Sequence, residues 1–475
     1  MHMKMKKIKF LLLGLLVSLS MVNCSDDLDD VIRPASNLEI SEFIYRGLNF
    51  WSLYKADVPD LANDRFESDA ERAAFLEQFE SPEATFDGLL SPNDRFSIIR
   101  DDYIELENAL SGIRRSTGMR FALFNDPSGN GNVFGLVRFV INNSPAQDAG
   151  VQRGMIFTGI DGVQLTSNSD LGAIFAQDAY TINLADYDAN TEVFTLNGTD
   201  ITLNQVELTI NPVHTARTLS IDGEQIGYLH YTGFTNEFDD QLNNAFAQFQ
   251  ADGITDLILD LRYNGGGSIE TANDLSTMIT GQFNGELFIR QTYNEDRNPD
   301  NQFDRLFNSN IGNGNSGAAI NSLNLTRVYV ITTGSTASAS ELILSGLDPY
   351  IEVIQVGTTT SGKFEGSFLL YDSPNFRRTD DINPNHRYVM LPLVLRSVNA
   401  NGLTDYFDGF TPDIQIAEDF SNLGQLGVQG EPLLDAVIDE ILLGRRPSTD
   451  VETRELPAVF YSDQNDILYQ RMMNE

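Results

Sequence analysis

A chain of 475 residues, 41% of them apolar, has enough material for the cores of two or three domains, which excludes bulk disorder. Its formal charge of −37 repels phosphate backbones and excludes nucleic acid as a partner. A single cysteine excludes an internal disulfide framework.

Residues 1–23 read as a signal peptide. Lys4, Lys6, Lys7 and Lys9 precede the apolar run FLLLGLLVSLSMV, which is too short for a comfortable transmembrane span. Cys24 follows at once and resembles the lipidation site of a bacterial lipoprotein, although Asn23 departs from the small residue usual there. Residues 24–36, with SDDLDD, then form an acidic tether, and the resemblance implies a membrane anchor at Cys24 and a place in the bacterial cell envelope, at the outer membrane. Beyond the signal peptide only Lys55 and Lys363 remain, against 25 arginines. Arginine does not lose its proton in a protein, whereas a buried lysine does, so Lys363 stands out before any motif is considered.

Residues 37–108 predict a helical domain, from apolar residues at helical spacing in LEISEFIYRGLNFWSLY and SDAERAAFLEQF. Residues 109–212 change to short β-rich runs, RFALF, GLVRFVI, MIFTGIDGVQL, EVFTLNG and VELTINP, with turn residues between them. Residues 213–445 alternate apolar strands with helices, which predicts an α/β core on a largely parallel sheet. Residues 446–475 read as a polar tail. The fold class is therefore multidomain α+β.

Three segments sit where strands of the α/β core end, the usual place for a ligand site in such sheets. DLRYNGGGS follows a strand with three glycines, whose backbone N–H groups can approach a ligand. In STASASELILSGL, Ser338 and Glu341 fit a capping box, and the same helix start also suits a nucleophile because the next N–H, from Ala339, points out of the helix. In GTTTSGKFEGS, Lys363 lies 25 residues beyond Ser338. It is either a surface lysine or a desolvated base with a depressed pKa, having no carboxylate partner built into its loop. His230, at the end of another strand, is the alternative base. DRNPDNQFD lacks the glycine and closing glutamate of a calcium loop, and no zinc spacing exists, so neither a metal nor an organic cofactor is expected.

Together DLRYNGGGS, TGSTASASELILSGL and GTTTSGK, in that order, resemble the C-terminal processing (tail-specific) serine peptidases. The resemblance implies Ser338 as nucleophile, Lys363 as base, and an oxyanion hole from Ala339 and the glycine turn, with Gly266 or its neighbour Gly265 donating. A glutamine common four residues after that lysine is Ser367 here, which implies either a lysine-orienting role for Ser367 or a bare dyad. NNSPAQDAGVQRGMIFTGIDGVQL resembles the PDZ domain of the same family. Such a domain takes a peptide as an added strand, which implies Gly118, Met119, Arg120 and Phe121 as the peptide-binding loop. The implied partners are proteins or peptides with exposed C-terminal ends. A catalytically silent protein that captures such ends on the same scaffold is the alternative.

Overall fold

The computed structural model describes residues 33–474 apart from 314–316, 380, 445–455, 465, 467 and 468. The signal-peptide reading and Cys24 lie outside the described residues. Among the described residues no helix is long and apolar enough to cross a membrane.

The helical domain begins with α1 (Asn37–Trp51), started by a full capping box between Ser36 and Glu39. Its inner face, Phe43, Ile44 and Leu48, is fully buried and packs with Leu370 and Met390, which belong to the far end of the chain's core. Trp51 stands edge-on to Phe368 at 4.8 Å. The domain is thus a cover on the α/β core, seated just beyond Lys363.

The β-rich domain follows with β1 (Met119–Asn125), β2 (Val133–Val140), β3 (Ile156–Ile160), helix α2 (Leu171–Phe175), β4 (Ala179–Asp188) and β5 (Val193–Asn204). These strands form one antiparallel sheet in the order β1-β2-β3-β4-β5. Phe121, Leu123, Val137, Phe157 and Ile182 make its core.

The core then runs β6 (Val213–Ile221), β7 (Glu224–Tyr231), α3 (Asp239–Asp252), β8 (Asp256–Asp260), β9 (Gly267–Ser268), α4 (Ile269–Thr280) and β10 (Leu287–Tyr293). It continues through β11 (Arg327–Thr332), α5 (Ala339–Leu347), β12 (Glu352–Gly357), β13 (Glu365–Ser367), β14 (Leu393–Asn399), β15 (Ile414–Gln415) and α6 (Pro432–Leu443). One six-stranded sheet has the order β6-β7-β8-β11-β12-β15, antiparallel at its first pair and parallel thereafter. Alternation along the strands decides which helices cover which face. Leu257, Leu259, Val328 and Val330 face α3, α4 and α5, while Ile258, Tyr329, Ile331 and Ile354 face α6.

The stretch read as a polar tail is built into the β-rich sheet and into a second core sheet that also holds β9, β13, β14 and β10. β16 (Ala458–Tyr461) pairs antiparallel with β1, and β17 (Met472–Met473) pairs parallel with both β9 and β13. Phe460, Met472 and Met473 are buried, and this gives the segment the apolar anchors that its overall polarity conceals.

A buried ionic cluster ties the strand ends together. The fully buried Arg262 guanidinium pairs with Asp260 at 2.8 Å, Glu431 at 2.7 Å and Glu418 at 3.1 Å. Removing one member of such a cluster leaves uncompensated buried charge, at a cost of about 3–5 kcal/mol. Arg262→Met is therefore expected to lower unfolding stability by that amount in urea titrations, although methionine fills much of the same space.

Candidate active site

Parallel strands β8, β11 and β12 end side by side, and the three loops leaving them converge. The loop after β11 makes the tightest turn. Ser338 takes φ 67° and ψ −120°, a conformation that costs a non-glycine residue roughly 1–3 kcal/mol, and α5 begins at the next residue. Its Oγ is buried without a hydrogen-bond partner, while the Ser338 N–H donates to Glu341 Oε2 at 2.9 Å, the backbone side of the expected capping box.

Glu341 does more than cap. Its carboxylate also accepts from Lys363 N–H at 2.8 Å, Gly362 N–H at 2.7 Å and the Thr360 hydroxyl at 2.6 Å. One buried side chain thus clamps the Ser338 turn to the Lys363 loop. Burial pushes the Glu341 carboxyl above its ordinary range, against these four hydrogen bonds. Nothing in the sequence marked this role, because these partners lie about 20 residues away and two of the three are backbone groups.

Lys363 has no exposed surface. The Phe96 ring lies 4.8 Å from Nζ, and Nζ donates to the Glu365 carbonyl at 2.8 Å. Burial lowers its pKa from 10.5 to about 7, opposed by the Glu365 carboxylate and reinforced by Arg471. The loop therefore does carry a carboxylate close to the lysine, contrary to the reading above. Tyr54 donates to that carboxylate at 2.5 Å, and desolvation outweighs it. Ser367 Oγ is buried without a partner and does not bond the ammonium; the Glu365 carbonyl has that place.

The glycine turn closes the third side. Gly266, at φ 110°, lies so close to Ser338 that a Cβ there would come within 2.8 Å of Oγ, which requires glycine. Its N–H is turned onto Asn264 Oδ1 at 2.9 Å, away from the oxyanion-donor role expected of it. The Ala339 N–H, at the start of α5, is among the donors that a helix leaves without a partner in a preceding turn. His230 does not meet the serine. It is fully buried against His214, with ring nitrogens 3.1 Å apart, and burial holds it well below its ordinary pKa.

The β-rich domain touches this site through two arginines. Arg138 of β2 lies 3.8 Å over the Tyr263 ring and donates to Ser335 Oγ, while Arg153 donates to the Tyr263 hydroxyl at 2.6 Å. Tyr263 immediately precedes Asn264 and the glycine turn. Of the loop residues expected to bind peptide, Gly118 takes φ 85° with its N–H on Ser116 Oγ, and Met119 N–H reaches Thr117 Oγ1. Phe121 exchanges hydrogen bonds with Ser462, and Arg120 lies 3.9 Å from Asp466.

A mixed α/β multidomain protein with a helical cover and a strained serine at a helix start is the class that fold and site define. Residues 225–370 match peptidase family S41, and residues 39–98 match the peptidase S41 N-terminal domain. These matches support peptidase family S41 for the chain. It is 26% identical to a structure of an S41 protease from Bacteroides fragilis NCTC 9343, over 84% of this chain and 96% of that one, with a TM-score of 0.67. It is also 26% identical over 228 residues to the chloroplastic C-terminal processing peptidase of Tetradesmus obliquus, covering 46% of each chain. The chain thus spans about half the length of that curated relative.

The lysine makes a stability prediction of definite sign. Its folded pKa, about 7, lies below the unfolded value, so the unfolded chain holds the extra proton between pH 7 and 10.5. The resulting destabilisation is fully present below pH 7 and fades as pH rises toward 10.5. Lys363→Met should accordingly melt at a higher temperature than the parent at pH 7, with the gain shrinking by pH 10 in scanning calorimetry.

Proposed function

We propose that the protein is a serine endopeptidase working through a Ser338–Lys363 dyad. The observation that carries this reading is the Glu341 clamp, which holds a strained serine with an uncommitted Oγ beside the loop of a lysine whose pKa is about 7. In the reaction, neutral Lys363 takes the Ser338 hydroxyl proton as Oγ bonds to a peptide carbonyl carbon. The Ala339 N–H and a donor from the Gly265–Gly266 turn hold the oxyanion. The tetrahedral centre then collapses, the C–N bond breaks, and Lys363 returns the proton to the leaving amine. Water, deprotonated by the same lysine, hydrolyses the ester and frees Ser338. Ser338 Oγ and Lys363 Nζ share no hydrogen bond in the present arrangement, so the lysine leaves the Glu365 carbonyl when substrate arrives.

The β-rich domain acts in this reading as a PDZ domain, with substrate added along the edge of β1 that β16 now occupies. The substrates are proteins or peptides with exposed C-terminal ends, and the lipid at Cys24 keeps the enzyme at the cell envelope. The absence of a Ser338–Lys363 hydrogen bond favours one competitor, a silent capture protein on the same scaffold.

Cleavage of an unstructured protein such as casein separates the two. Ser338→Ala and Lys363→Ala should each reduce kcat/KM at least ~10³-fold with folding intact by thermal melting, since each removes a partner in the chemical step. The parent's kcat/KM should rise with pH through about 7 and level off above it, as the lysine loses its proton. Equal inertness of all three chains, with peptide binding retained, establishes the capture protein instead.

A further inference from the structure

The groove in which a substrate strand would lie is already filled. We propose that residues 456–464, 466 and 469–474 of the chain itself are a standing intramolecular occupant of the peptide path, a block that incoming polypeptide must displace; this rests on the peptidase reading above.

The segment follows both halves of that path. Its first part, β16, pairs antiparallel with the edge strand β1, with Ala458 opposite Phe124 and Tyr461 opposite Ala122. Phe460 enters the cleft between β1 and α2 and stacks on Phe121 and Phe175, with centroids 6.3 and 5.7 Å away. Added strand and buried aromatic anchor together are how a β-sheet edge takes a peptide ligand. Asp466 then meets Arg114 and Arg120, a charge match at the exit from the β-rich domain.

Its second part enters the catalytic cleft. Gln470 lies against Gly265, and Met472 and Met473 pair with Gly267 and Ser268 on one side, while Met473 pairs with Ser367 on the other. Asn474 continues the pairing by donating its N–H to the Ser367 carbonyl at 2.8 Å. The segment therefore fills the gap between the glycine turn and the strand that follows Lys363. The Arg471 carbonyl oxygen and Ser338 Oγ each lie 2.8 Å from the same point above Gly266, so they are no more than twice that distance apart. A backbone carbonyl is thus parked beside the nucleophile.

The surrounding groups are in a resting arrangement. Ser338 Oγ has no partner, Lys363 Nζ is held by a backbone carbonyl, and the Gly266 N–H is on Asn264. The occupant also defines what would compete with it. A displacing polypeptide needs an extended stretch with an aromatic residue for the Phe121–Phe175 cleft, an acidic residue about six positions on, and two unbranched apolar residues about six further.

The test uses the full chain carrying Ser338→Ala and a fluorescein-labelled synthetic peptide copying residues 456–474, read by anisotropy. Phe460→Asp with Asp466→Arg should release the internal segment and tighten peptide binding at least tenfold. A disulfide between Ala122→Cys and Tyr461→Cys, which face each other across the β1–β16 pair, should abolish binding until dithiothreitol restores it. Because reduction reverses the lock, a loss of fold cannot imitate the result. Equal affinity in the parent, released and locked chains overturns the proposal. With Ser338 intact, the released chain should cleave casein several-fold faster and the locked chain more slowly until reduced. If casein survives in every form while the binding results hold, the peptidase reading fails and the occupancy stands. Intact mass showing that the parent promptly cuts its own segment beside Ser338 overturns the standing block, because the segment is then a substrate consumed once.

Discussion

The buried carboxylate of Glu341 is the constraint on which the rest of the site depends. It sets the geometry that the serine turn and the lysine loop share. Four donors converge on it, three of them backbone N–H groups from the serine turn and the lysine loop. A buried ionised carboxylate is costly unless it is fully hydrogen-bonded, and here each oxygen is engaged twice. The same bonds that satisfy it hold Ser338 in a strained turn and keep the Lys363 backbone fixed. Strain at the serine persists because helix α5, the glycine turn and this clamp determine its position together.

The lysine depends on a different part of the molecule. Its depressed pKa arises from burial, and the helical domain supplies neighbours to it, the Phe96 ring beside Nζ and Tyr54 on Glu365. That domain is therefore a wall of the site as well as a packing element. Removing water from around Lys363 favours the neutral amine, which is the form that accepts a proton. The Glu365 carboxylate pulls the other way, and its hydrogen bond from Tyr54 tempers that pull.

Local pattern carried a good deal of this. The nearly continuous apolar runs DLILD and RVYVITT marked strands buried on both faces. The scarcity of lysine drew attention to Lys363, and the helix start at Ser338 was visible from the Ser–Glu spacing. The same spacing marked Glu341 as the partner of the Ser338 turn, and it did not mark the bonds of that carboxylate to the Lys363 loop. Ser367 was considered because of its position in a motif, and position alone does not say which carbonyl an ammonium will reach.

What the sequence by itself determined is whatever depends on neighbours within a few residues: strand and helix periodicity, turn glycines, the serine at a helix start and the likeness to peptidase family S41. Only the tertiary structure decided the desolvation of Lys363, the fourfold clamp on Glu341, the turning of the Gly266 N–H onto Asn264 and the strand pairings of Ala458–Tyr461 and Met472–Met473. Each of these joins groups far apart in the chain, and burial and hydrogen-bond partnership are properties of what surrounds a residue in space. The polar composition of the closing segment hid three buried anchors, Phe460, Met472 and Met473, whose role exists only once two sheet edges are open to receive them.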